Sequence, residues 1–299
     1  MTSLEDLTLD YNANITGTLP EFLSDLSKLK VLSMSNTKLY GTLPSSLSRL
    51  TELEALFVDD CDFEGSVAVL QNMQNLTHVY LEDNSFNDTI DDTFFANCTS
   101  LVHLDISNCS FTGAVPGHLF NNMPHLEVLD MSLNKLGGVL PEALSDIREA
   151  NNLTFLSLHT NNITGTIPPS IGRLQNLTVL DLSNNQFSGS IPWEEVGDLN
   201  NLEILFLGRN NFNKTPVDTR IRNMTGLTEL SLASSSLTGN IPTWLGELTQ
   251  LMFLDLGGNE LTGTIPPSLG SLTELMVLIL KSNNLEGELG LGQLAQLGK

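Results

Sequence analysis

Positive charge is scarce in this sequence. Thirteen Lys and Arg stand against 35 Asp and Glu, for a formal charge of −22 over 299 residues. Nucleic acid and anionic membrane surfaces are held by clustered Lys and Arg, so this balance argues against both as partners. It does not by itself require a cationic partner, because acidic surfaces also keep proteins soluble. Cysteine is scarce too, with three residues, Cys61, Cys98 and Cys109, all expected as free thiols. No run approaches the roughly 20 apolar residues of a membrane span, so this segment is expected to make no membrane contact. A nucleophile elbow, a phosphate loop and a paired-carboxylate signature are all missing. The expectation is a protein that is not an enzyme, with no catalytic residue, metal or cofactor.

What fills the chain instead is a leucine pattern. Its first leucines are Leu4, Leu29, Leu53, Leu76, Leu101, Leu126, Leu153, Leu177, Leu202, Leu227, Leu251 and Leu275, at intervals of 23 to 27 residues. A period held that tightly across a chain identifies a solenoid. There is no linker, low-complexity tract or composition shift, so residues 1–299 read as a single repeat domain of about 12 repeats.

Each repeat has a physical reading. In Leu251–Gly270 the alternation Leu254-x-Leu256 is the period-2 signature of a short strand with one buried face. Stacked repeats bury that face by building a parallel sheet, leucines inward and intervening residues outward. The asparagine column (Asn12, Asn84, Asn134, Asn161, Asn185, Asn210, Asn259, Asn283) stands where the chain leaves the strand. A buried amide there can satisfy backbone groups of its own and the adjacent turn. The glycine that follows, as in Gly65 or Gly263, suits a crowded bend, and the Ile-Pro pair sets an extended backbone before a short helical turn.

Leu261-Thr-Gly263-Thr-Ile265-Pro266 and Ile163-Thr-Gly165-Thr-Ile167-Pro168 carry a resemblance. The chain resembles the plant-type leucine-rich repeat family, of the kind found in ectodomains of receptor kinases and receptor-like proteins, over practically all its length. The resemblance implies an α/β solenoid: a right-handed superhelix with a concave parallel β-sheet, a short second sheet and short helical turns on the convex side. It also implies an extracellular location and a binding role for the concave and flanking surfaces. The family's cysteine-paired caps are absent at both ends, and Met1-Thr2-Ser3-Leu4 matches Met224-Thr225-Gly226-Leu227 inside the array. Near the C-terminus, Gly290-x-Gly292 is a degenerate repeat. The expectation is therefore a domain uncapped at both ends, a fragment of a longer protein.

Cys61 and Cys109 occupy the asparagine column two repeats apart, roughly 10 Å, too far for a disulfide. Cys98 falls on the helical side. Ten Asn-x-Ser/Thr sequons point to a secreted, glycosylated surface. Asn-Leu-Thr at Asn75, Asn152 and Asn176 is partly a by-product of the repeat, and Asn108 lies on a strand edge. The sites expected to carry glycans are Asn14, Asn87, Asn97, Asn162, Asn213 and Asn223.

Positions two, four and six after each first leucine share the outward side of the strand. Repeats 3 to 5 set Ala55, Phe57 and Asp59 beside His78, Tyr80 and Glu82, and these beside His103, Asp105 and Ser107, with Asp60 at the strand edge. Aromatic side chains anchor interfaces disproportionately, so Phe57, Asp59, Asp60, His78, Tyr80, Glu82, His103 and Asp105 form the first candidate ligand-binding patch. The bland alternative is that scattered surface aromatics are common. A second candidate patch is His159, Asp181, Phe206 and Arg209, with Ser157 beside them. Trp193 and Trp244 follow Pro192 and Pro242 on the convex side, where packing is the expected role.

The pattern slips in places. Asp88 in repeat 4 and Lys214 in repeat 9 replace the glycine, and the Ile-Pro pair is lost in both. Repeat 6 carries extra residues around Arg148–Asn151, and Thr37, Cys61, Cys109 and Ser235 replace the asparagine. Such departures bend a solenoid or free an edge. The functional expectation is an extracellular recognition module for a protein or peptide ligand, with a co-receptor as a further candidate partner, from a membrane-anchored receptor or receptor-like protein. The alternative is a secreted cell-wall or matrix-associated protein, such as an inhibitor of wall-degrading enzymes.

Overall fold

The structure is a computed structural model that describes residues 3–142, 144 and 152–288. Met1, the extra residues at Arg148–Asn151 and the degenerate repeat at Gly290-x-Gly292 lie outside the described residues. The chain divides into two compact units, Met1–Leu153 and Thr154–Lys299.

In the first unit the Leu-x-x-Leu-x-Leu segments form three-residue strands: β1 (Asp6–Thr8), β2 (Val31–Ser33), β3 (Ala55–Phe57), β4 (His78–Tyr80), β5 (His103–Asp105) and β6 (Val128–Asp130). Each pairs in parallel with the next along the chain, position against equivalent position, as in Leu7↔Leu32 and Leu104↔Leu129. The second unit repeats the arrangement with β7 (Phe155–Ser157), β8 (Val179–Asp181), β9 (Ile204–Phe206), β10 (Glu229–Ser231), β11 (Phe253–Asp255) and β12 (Val277–Ile279). The architecture is an α/β solenoid. The middle residue of each strand from β2 to β11 is fully buried, Leu in all but β4, where it is Val79. Each such side chain contributes about 2 kcal/mol of burial.

The turns behind the strands follow from the Pro positions. Pro20, Pro44, Pro168, Pro242 and Pro266 hold φ between −69° and −79° with ψ between 135° and 143°, and each is followed by a five-residue 3-10 turn. Proline pre-sets that backbone and its missing donor falls where a helix start has no partner to lose. Pro192 departs from the set at ψ 71° and leads into an α-helical turn, Trp193–Val196. Trp193 is buried, as packing requires, whereas Trp244 is only half-buried.

The asparagine column works as a hydrogen-bonded ladder. Asn134 Nδ2 donates to Ile106 O one repeat back (2.8 Å) and to Ser132 O (2.9 Å), and its Oδ1 accepts the Phe111 N–H (2.9 Å). Asn185, Asn210 and Asn259 make the same set. Where cysteine replaces the amide, the thiol reaches back in the same way, Cys61 Sγ to Met34 O and Cys109 Sγ to Leu81 O. All three cysteines are free thiols.

Between strand and helical turn runs the short second sheet, and it breaks at the two slipped repeats. In the first unit Thr16–Gly17, Lys38–Gly41, Asp62–Gly65 and Ser85–Phe86 pair in one piece, and Thr89–Ile90 with Thr112–Gly113 in another. In the second unit the piece ending at Asn211–Phe212 is followed by a new one starting at Thr215–Pro216. Asp88 and Lys214 lie in the two gaps. Gly65 shows why glycine holds this bend elsewhere: its φ is 79°, and a Cβ there would stand 2.9 Å from Thr42 Cγ2. Asp88 instead turns its carboxylate back to accept from Ser66 Oγ (2.8 Å) and the Val67 N–H (2.6 Å).

Candidate functional site

Strands β3, β4 and β5 place the first candidate patch on one outward face. The register sets Phe57 beside Tyr80 and Tyr80 beside Asp105, with Ala55, His78 and His103 in the parallel row. The rings close into a ladder. Phe57 and Tyr80 have centroids 4.9 Å apart, Tyr80 stacks on His103 at 4.2 Å, and His103 lies 6.3 Å from His78. Tyr80 Oη and His103 Nδ1 are 3.0 Å apart, a hydrogen bond across strands. Ala55 is a correction: expected outward, it is buried, because a methyl group in a row of larger side chains lies beneath them.

Asp59, Glu82 and Asp105 run along the same face. Burial pushes the Glu82 carboxyl up to about 8, with Asp105, Asp59 and Asp83 adding repulsion. Burial likewise raises Asp105 to about 6, although its Oδ1 accepts the Ser107 N–H at 2.9 Å. Asp59 is raised by burial against the pull of the Ser35 hydroxyl, which donates to it. His103 is held down to about 4 by burial and then by His78, so its ring is neutral at neutral pH. A neutral ring with its proton on Nε2 accepts the Tyr80 O–H at Nδ1, and the other tautomer donates to Tyr80 Oη. Among the described residues no group of three His, Cys, Asp or Glu is placed to hold a metal ion.

Asp60, expected at the strand edge, belongs to a column whose left-handed backbone sequence reading passed over. The residue before the asparagine position is left-handed throughout, from Tyr11 (φ 57°) and Asp60 (φ 49°) to Arg209 (φ 55°) and Ser282 (φ 56°). Asp60 and Arg209 therefore stand at the rim, off the row of alternating outward residues. The signal was in the composition: Asn36, Asp60, Asp83, Asn108, Asn184 and Gly258 all fill this position, and such residues tolerate that backbone best.

The second candidate patch is rearranged by the structure. Phe206 faces Phe253 at 6.0 Å, edge to face, across Ser231. A cleft of about 240 Å³ opens beside the two rings, lined also by Gly208, Arg209, Ser231, Ala233 and Asp255. Phe253 also stands at an outward position, but two strands from Phe206 and at position two rather than four, so no row of the repeat sets the two side by side. His159 and Asp181 do not line the cleft; His159 Nδ1 meets its neighbour Thr160 Oγ1 (2.9 Å) and Asp181 Oδ1 accepts the Ser183 N–H (2.9 Å). Ser157, set beside them, is buried.

The asparagines of all ten sequons are exposed. None occupies an outward position two, four or six of a strand. Among the described residues no helix is long and apolar enough to cross a membrane.

Comparison with known proteins agrees with this geometry. The family profile described as leucine-rich repeat region matches residues 106–257, and profiles for the leucine-rich repeat match residues 2–63 and 250–272. The receptor-like protein kinase HAIKU2 of Arabidopsis thaliana is 33% identical over 98 residues, which are 33% of this chain and 10% of that protein. Among solved structures, a TDR receptor superposes with a TM-score of 0.87 at 30% identity, over 95% of this chain and 48% of that one. PEPR1–AtPEP1 gives 0.85 at 30% identity, over 98% and 41%. The plant peptide hormone receptor RGFR1 in complex with RGF2 gives 0.84 at 28%, over 98% and 50%. The chain thus spans half or less of the length of each of these relatives.

Proposed function

The chain belongs to the leucine-rich repeat family, and we propose that it is an extracellular recognition module, part of the ectodomain of a membrane receptor or receptor-like protein. We read residues 1–299 as one repeat domain, since the leucine period runs on past Leu153. Its partner is a peptide or protein ligand, with a co-receptor as a second partner. Likeness to RGFR1, described as a peptide hormone receptor, supports the peptide. The role of the face is binding rather than catalysis.

The observation that carries the reading is the half-exposed ring ladder Phe57–Tyr80–His103 with its row of carboxyls. Half-buried aromatics on a rigid sheet anchor ligands at low entropic cost. The outward strand positions carry no sequon, so glycans at Asn14, Asn87, Asn97, Asn162, Asn213 and Asn223 leave this face open. The Phe206–Phe253 cleft is the second contact area.

The test is Phe57→Ala with Tyr80→Ala. Peptides selected from a random display library on the wild-type chain are expected to bind the double variant at least tenfold more weakly, at about 1.4 kcal/mol per tenfold. The thermal midpoint should move by only a few degrees, because both rings stand outside the leucine core. Undiminished binding would sink the assignment of this face.

A further inference from the structure

Glu82 is in an unusual position for a carboxyl on a binding face. Its Oε2 has no solvent-open surface and no hydrogen-bond partner. The charged groups facing it are Asp105 on β5, Asp59 just past β3, and its chain neighbour Asp83, all of one sign. Asp105 in turn faces Asp130 at the end of β6, and Asp59 faces Asp10 and Asp60. What most favours ionisation of these three carboxyls is hydrogen bonding, and among the described residues none of them is in an ion pair with Lys or Arg. His103, the imidazole stacked on Tyr80, is neutral near neutral pH and supplies no positive charge there.

A buried carboxylate without a counter-ion is costly, and two things relieve it: a proton, or a cation carried in by a ligand. We propose that this face binds its ligand through a basic side chain, Arg or Lys, whose cation lies against Glu82 and Asp105 while its aliphatic stem lies along the ring edges of Tyr80 and Phe57. The inference rests on the reading of this face as the ligand-binding surface and names what it selects. Tyr80 itself does not take the cation. Phe57 and His103 cover its two sides at 4.9 and 4.2 Å, so it turns an edge outward rather than an open π face. Edges suit a methylene stem, which Arg and Lys both bring with their charge. Charge recognition then falls to the carboxyls. As the cation arrives, Glu82 gives its proton to solvent, so one positive charge replaces another.

The experiment pans a random peptide display library at pH 8 on the 299-residue chain, and measures the selected peptides on Phe57→Ala/Tyr80→Ala and on Glu82→Gln/Asp105→Asn. Selected peptides should be rich in Arg or Lys and lose at least tenfold in affinity on both variants. On the wild-type chain such a peptide should bind at least tenfold more tightly at pH 8.5 than at pH 5.5, and its citrulline version should not bind. Peptides that need Phe57 and Tyr80 but show no basic bias, or are indifferent to Glu82→Gln/Asp105→Asn, overturn this inference and leave the recognition face standing. Binding indifferent to both variants, or no selection at all, overturns both.

Discussion

Glu82→Gln tests the electrostatics of the strand face without any ligand. The folded protein holds the Glu82 proton up to about 8, against an ordinary 4.5, because burial and then Asp105 oppose the charge. Between those values the folded state binds more protons than the unfolded one. Stability from this group is therefore complete below about pH 4.5 and is lost as pH rises toward 8. At about 1.4 kcal/mol for each tenfold change in proton affinity, the loss is at most about 5 kcal/mol. The group is only partly buried, and solvent screening brings the expected figure to about 2 kcal/mol. Glutamine keeps the shape and cannot ionise. Urea unfolding of both proteins at pH 4.5, 6, 7.5 and 9 should find them nearly equal at pH 4.5, and the variant about 2 kcal/mol more stable at pH 9. His103, held down to about 4, loses stability in the opposite direction as pH falls from 6.5, and it cancels in the comparison. Parallel pH profiles, or a variant less stable than wild type at pH 9, would refute the reasoning.

Asn134→Ala should cost about 3 kcal/mol in urea unfolding, since it strands the buried Phe111 N–H and the Ile106 carbonyl at roughly 1–3 kcal/mol per group; a loss under 1 kcal/mol would contradict the ladder. Gly246→Ala should destabilise by about 2–3 kcal/mol, because a Cβ there would stand 2.1 Å from Ser268 O of the next helical turn. A midpoint unchanged by that methyl would show that the turns sit further apart. Expressed through a eukaryotic secretory route, the chain should carry glycans at Asn14, Asn87, Asn97, Asn162, Asn213 and Asn223, all exposed. Peptide mapping by mass spectrometry reads this directly, and bare asparagines at all six would count against secretion.

Some of the candidate site was legible in sequence because a strand has period 2. That alternation placed Phe57, Tyr80, His78 and His103 on one side, and the structure stacks them. The breaks in the second sheet were legible too, since Asp88 and Lys214 stand where the repeat has glycine. The Phe206–Phe253 cleft was not, because it brings together two rings at different repeat positions with the small side chains of Ser231 and Ala233 in the repeat that separates them. Ala55 was misplaced for a related reason: side is set by alternation, but burial by the size of neighbours.

By itself, then, the sequence determined the coil: leucine spacing settles which atoms must leave water, and the amide column settles how the turns satisfy their backbone. Only the tertiary structure decided the chemistry of the face. Glu82, Asp105 and Asp59 lie 23 to 46 residues apart in the chain. Their protonation reflects burial and like charges brought close by strand pairing, and no local pattern encodes that distance.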